Sequence, residues 1–300
     1  MNLDFFKSTR ILDGGMGQEI LARGVKPHGT LWSASALIDE KYHQTVIDIH
    51  KDFIDAGAES IVTTSFTTRQ IRLRENNLED QFDQLNSLAG SLACKARDLS
   101  KKQVLIAGGL PPQNNTYLAD DRSEDEIKSN FYNQAKILNS YIDYFYLDVL
   151  SSVREFKLGI DVINEFKKPY LIGIHITEGT KLPSGETIND VIDKINKENL
   201  LGVILGCVSP ENYLLNIKEL KKFNLPFGFK INGFKNTRGD YQEIYRKNAG
   251  NPNEFLGKRD DLTEEKIFNF AKEVVDNGGT ILGGCCEISP KQIKIISRLK

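Results

Sequence analysis

Gly202-Val203-Ile204-Leu205-Gly206-Cys207 is a short apolar run that ends in a thiol, and Gly278-Gly279-Thr280-Ile281-Leu282-Gly283-Gly284-Cys285-Cys286 ends in two. Apolar runs of this length, rich in β-branched residues and bounded by glycine, read as buried strands. The same signature recurs at 10–13, 60–65, 104–109, 144–150, 170–175 and 227–232, and most intervals between runs carry helical periodicity, as at 39–56. Eight strands that alternate with helices pair in parallel through right-handed crossovers and close naturally into a (β/α)8 barrel of the TIM type. A doubly wound open sheet is the competing layout. No Pro/Ser-rich linker divides the chain, so residues 1–300 read as a single α/β domain.

A parallel barrel brings all strand C-termini to one face, where distant residues meet. Cys207 ends the sixth strand, Asn232 the seventh, and Cys285 and Cys286 the eighth. Adjacent cysteines rarely bond to each other because disulfide geometry is strict, so the pair more naturally offers two sulfurs to one soft metal ion. The 78-residue interval between Cys207 and Cys285 fits no zinc-finger spacing. The barrel supplies the proximity that the spacing lacks. Cys94, in an apolar helical segment without a partner thiol, reads as core filling. Two loop-rich segments, 111–117 and 233–262, follow the third and seventh strands and are expected to shape the mouth.

With 300 residues, 40% of them hydrophobic and 27% charged, the chain can bury a sizeable core. Its formal net charge of −2 argues against nucleic acid as a partner, which calls for a basic face. A small neutral or zwitterionic ligand suits this balance better. The chain contains no apolar run long enough to span a membrane, and its N-terminal stretch lacks the apolar core of a signal peptide. Four cysteines in such a chain lead us to expect reduced thiols and a cytoplasmic location.

The ordered motifs carry a resemblance. Leu12-Asp13-Gly14-Gly15-Met16-Gly17-Gln18-Glu19, Leu31-Trp32-Ser33-Ala34, Ala56-Gly57-Ala58-Glu59-Ser60-Ile61-Val62-Thr63-Thr64-Ser65-Phe66, Gly206-Cys207 and Gly283-Gly284-Cys285-Cys286 together resemble the homocysteine S-methyltransferases, zinc-dependent thiol methyltransferases. The resemblance implies a barrel with Zn2+ held at the C-terminal face of the strands by Cys207, Cys285 and Cys286. Homocysteine would take the open position as a thiolate and receive a methyl group from an onium donor, giving methionine. S-methylmethionine is the favoured donor, and betaine and dimethylsulfoniopropionate are alternatives. In this pattern Asp13 faces the amino-acid part of homocysteine, the backbone of Gly14 and Gly15 approaches its carboxylate, and Asp148 contacts its amine.

Asn232 matches a strand-end asparagine near the open zinc position, with Asn248 as its rival, and Trp32 suits the wall beside a cationic donor. His175 reads as a hydrogen-bonded structural group. The chain departs from the pattern at Asp148, where glutamate is usual, at Gly206, where asparagine is common, and at Glu287, which replaces a glycine. Those departures motivate a second reading, a non-catalytic barrel whose zinc–thiolate centre is structural or senses oxidants. The pattern leaves oligomeric state open.

Overall fold

The computed structural model describes residues 2–237 and 252–300. Among them run eight strands: β1 (Arg10–Ile11), β2 (Ser60–Val62), β3 (Leu105–Leu110), β4 (Tyr144–Leu150), β5 (Tyr170–Ile174), β6 (Leu200–Val208), β7 (Phe227–Ile231) and β8 (Ile281–Gly284). Hydrogen-bonded neighbours follow the order β1-β8-β7-β6-β5-β4-β3-β2, and the pairs are parallel. A parallel bridge between Leu12 and Ser60 completes the ring, with Asp13 N–H donating to Ser60 O at 3.1 Å and Glu59 N–H to Ile11 O at 2.8 Å. The expected TIM-type barrel is therefore the fold, and the open sheet is excluded.

Helices return the chain between strands, and their starts are written in the sequence. Ser123, Ser152, Ser209 and Thr263 each accept a backbone N–H with the side chain, and Thr187 and Asp190 form a reciprocal capping box. The outer faces of the strands pack on these helices, as where Phe229 meets Tyr213 and Phe270 at centroid distances of 5.6 and 4.8 Å. Inside the barrel Leu12, Tyr144, Tyr146, Leu171, Leu201 and Ile204 form a separate cluster. Phe6 closes its lower end, edge-on to Tyr144 at 5.9 Å. Side chains thus fill the lower barrel, and the pocket that holds the cysteines opens at the C-terminal face.

β1 and β2 are shorter than the apolar runs that announce them. Asp13 leaves the ladder and turns its carboxylate onto Val62 N–H at 2.7 Å, while Thr63 and Ser65 pair their hydroxyls at 2.8 Å in a tight bend. Two register shifts matter more for the site. One lies between Leu147 and Leu150 in β4, the other between Gly206 and Val208 in β6. They place Val149 at φ +62° and Cys207 at φ +51°, a left-handed conformation that is costly for a β-branched residue. Such bulges re-aim side chains, and here they turn Asp148 and Cys207 into the barrel mouth.

Candidate metal centre and substrate pocket

Cys207, Cys285 and Cys286 meet where β6 and β8 end. Cys207 Sγ lies 3.9 Å from Cys286 Sγ, Cys286 Sγ lies 3.8 Å from Cys285 Sγ, and the three sulfurs all fall within 4.8 Å of one another. A tetrahedral metal with sulfur bonds of about 2.3 Å sets sulfurs about 3.8 Å apart. Two of the three edges already match, so the donor set fits zinc.

Backbone bonds fix these thiols. Cys285 N–H donates to Ile231 O at 2.6 Å, Gly233 N–H to Cys286 O at 2.8 Å and Gly284 N–H to Asp13 O at 2.9 Å, which ties the end of β8 to β7 and to the turn after β1. Gly14 and Gly15 allow that approach, since a Cβ would stand 2.2 Å from Ile288 O at position 14 and 2.6 Å from Cys285 O at position 15. Tyr117, buried at φ +67°, brings its hydroxyl to 3.0 Å from Cys207 Sγ. Burial opposes a charge on Cys207, yet its hydrogen-bonded contacts with the Cys285 and Cys286 thiols and the Tyr117 hydroxyl hold its thiol well below the ordinary value.

Beside the thiols lies a buried charged group. Asp13 accepts Val62 N–H with Oδ2 and pairs through Oδ1 with Lys230 Nζ at 2.5 Å. Burial works against the Lys230 ammonium, but Asp13 and then Asp148 hold it above the ordinary lysine value. Burial, and next the charge of Cys285, push the Asp148 carboxyl up to about 7. Its Oδ1 is buried without a hydrogen-bond partner among the described residues. Lys230 went unread in the sequence, although alternation was the available signal: Phe227, Phe229 and Ile231 take the helix-facing side of β7, which leaves Lys230 inside.

The opposite wall is aromatic. Trp32 (φ +41°) meets Phe66 edge-on at 6.3 Å and rests on the first turn of helix Met16–Ala22, where a Cβ on Gly17 would lie 2.2 Å from Trp32 Cε2. Asp13, Gly14, Gly15, Asp148, Trp32 and the three cysteines thus all line one pocket. Asn232 is the candidate that does not line it. Its Oδ1 accepts Phe234 N–H at 2.8 Å and shapes the turn after β7. Asn248 lies outside the described residues.

His175 bonds Gly206 O at 3.2 Å and Thr177 Oγ1 at 3.0 Å, burial pushes it down to about 4, and its ring backs Tyr117 at 4.4 Å. Cys94 is half-buried in its helix, with its thiol 3.2 Å from Tyr141 O.

Two departures gain local explanations. A Cβ at Gly206 would stand 3.3 Å from Tyr146 Oη and 3.4 Å from Val149 Cγ2, so Tyr146 and the β4 bulge fill the room an asparagine would need. Glu287 occupies φ +62°, which accounts for the usual glycine. Its carboxylate accepts from Asn253 Nδ2 at 2.5 Å and pairs with Lys258 at 2.8 Å, joining the rim to the cysteine turn.

Known proteins share this arrangement of sequence and fold. The homocysteine S-methyltransferase family profile matches residues 10–299. Homocysteine S-methyltransferase 1 of Saccharomyces cerevisiae is 26% identical over 318 residues, covering 96% of this chain and 92% of the yeast protein. Homocysteine S-methyltransferase YbgG of Bacillus subtilis is 25% identical over 314 residues, covering 96% and 93%. In structure, the homocysteine methyltransferase MmuM from Escherichia coli, in its metallated form, has the same fold with a TM-score of 0.79 at 18% identity, covering 98% of this chain and 96% of that one. With the profile matched over nearly the whole barrel, the chain belongs to the homocysteine S-methyltransferase family.

Proposed function

We propose that this chain transfers a methyl group from a small methylated onium compound to the thiol of homocysteine, giving methionine, with one Zn2+ held by Cys207, Cys285 and Cys286. The observation that carries this reading is the three-sulfur cluster on the wall of a pocket that also holds a buried, unpartnered carboxylate oxygen and an aromatic face. Bound there, zinc supplies Lewis acidity that lowers the pKa of an incoming thiol and presents its sulfur. A purely structural zinc is normally closed by four protein ligands; among the described residues this cluster has three and faces a pocket.

The chain's own groups do the positioning. Trp32 and Phe66 present ring faces and edges to the donor, and such faces attract a sulfonium or quaternary ammonium. Asp148 offers its carboxylate to an amine. Tyr117 holds Cys207 in place. S-methylmethionine is placed first among donors, ahead of betaine and dimethylsulfoniopropionate. Residues 1–300 act in this proposal as one homocysteine-binding domain. The reduced thiols it requires suit the cytoplasm, and among the described residues no helix is long and apolar enough to cross a membrane.

The test is a thiol-methylation assay with purified reduced protein, zinc, homocysteine and each of the three donors, alongside metal analysis. We expect about one zinc per chain and methionine formation fastest with S-methylmethionine. Stoichiometric zinc with no methionine from any donor would overturn the reading and favour a structural or redox-sensing centre.

A further inference from the structure

We propose that Lys230 positions the acceptor by receiving its carboxylate, while the acceptor's ammonium goes to Asp148 and Asp13 serves as the counter-ion that holds Lys230 in place. This rests on the methyl-transfer reading above and divides the roles of the two acids, which the resemblance alone assigned to the same end of homocysteine.

Both oxygens of Asp13 are engaged. Oδ2 holds Val62 N–H at 2.7 Å and Oδ1 holds Lys230 Nζ at 2.5 Å, with the two side chains only 3% and 6% exposed. An incoming ammonium would find this carboxylate already countered by a full positive charge. Asp148 is different: it lines the same pocket with no ion pair among the described residues, and the group that interacts with its carboxyl is the neutral Tyr146 hydroxyl.

The carboxylate end of the acceptor needs a donor as well. Gly15 N–H, expected near it, is spent on Ile288 O at 2.8 Å. Lys230 has three N–H groups, and Asp13 is its one hydrogen-bond acceptor among the described residues. The Tyr146 ring lies 5.9 Å from Nζ. Lys230 lines the pocket together with Cys285 and Asp148. An amino acid whose sulfur sits at the cysteines can therefore place its carboxylate on Lys230 and its ammonium on Asp148, so that each charge meets its opposite.

The experiment is titration calorimetry of the zinc-loaded protein with homocysteine, 4-mercaptobutyrate (no amine) and 3-mercaptopropylamine (no carboxylate), with turnover measured in parallel. Lys230→Met should weaken homocysteine and 4-mercaptobutyrate by roughly ten- to a hundredfold and leave 3-mercaptopropylamine within about threefold. Asp148→Asn should do the reverse, and Asp13→Asn should follow the Lys230 pattern more weakly. Removing Lys230 alone leaves Asp13 buried and uncountered, so Asp13→Asn/Lys230→Met, in which the pair is neutral, provides the same comparison if the single variant fails to fold.

Equal weakening of all three thiols by Lys230→Met or by the double variant, no binding of any thiol by the wild type, or loss of 3-mercaptopropylamine binding in Asp13→Asn as large as in Asp148→Asn would overturn the assignment. The calorimetry is independent of methyl transfer. If the split appears but no donor yields a methylated thiol, the assignment of Lys230 stands and the proposed reaction falls; turnover without the split has the opposite meaning.

Discussion

Replacing Tyr117 with Phe removes the hydroxyl that lies 3.0 Å from Cys207 Sγ and leaves the ring in its stack against His175. Groups that orient a metal ligand typically contribute ten- to a hundredfold to metal affinity. Tyr117→Phe should therefore weaken zinc binding by roughly tenfold in a chelator competition, with unchanged circular dichroism. Unaltered affinity would reduce the hydroxyl to packing. The cysteines themselves were legible, because thiols at strand ends converge in any parallel barrel. Tyr117 was visible only as a residue of a polar loop, since its role depends on a left-handed backbone at position 117 that no local pattern announces. Asn232 shows the opposite ambiguity: a strand-end asparagine is as suited to capping its own turn as to facing a ligand, and here its Oδ1 accepts Phe234 N–H.

Periodicity located all eight strands, with the largest errors at the ends of β1 and β2, where side chains of Asp13, Thr63 and Ser65 take over from the ladder. The bulges in β4 and β6 were invisible, because an extra residue in a strand does not disturb a run that is apolar on both faces. Yet those bulges aim Asp148 and Cys207.

Helix Met16–Ala22 has a similar hidden duty, since its Gly17 is the floor on which Trp32 lies. Gly17→Ala would place a Cβ 2.2 Å from the indole, a clash that outweighs the usual helical preference for alanine. Trp32 must shift. It is the chain's one tryptophan, so its fluorescence reports the displacement directly. We expect a changed emission maximum and a severalfold higher KM for the methyl donor, while homocysteine KM and zinc content stay near wild type. Unchanged fluorescence with unchanged donor KM would remove Trp32 from the donor wall.

The barrel as a whole buries ionisable groups shifted in opposite directions, and their effects on stability have opposite signs. Burial pushes His50 down to about 3. Between that value and the ordinary value near 6.5 the unfolded chain binds a proton that the folded chain refuses, so stability falls as pH drops below about 6.5. Asp148 is raised to about 7, first by burial. From the ordinary value near 4 up to about 7 the folded chain keeps a proton that the unfolded chain has released, so stability falls as pH rises through that window. Each group contributes at most about 1.4 kcal/mol per pH unit. Urea unfolding of the reduced, metal-free protein from pH 4.5 to 8 separates them. His50→Gln should gain on wild type as pH falls from 6.5, whereas Asp148→Asn should gain as pH rises toward 7 and then level off. A constant offset across the range for Asp148→Asn would mean that its carboxyl titrates alike in both states and that burial does not raise it.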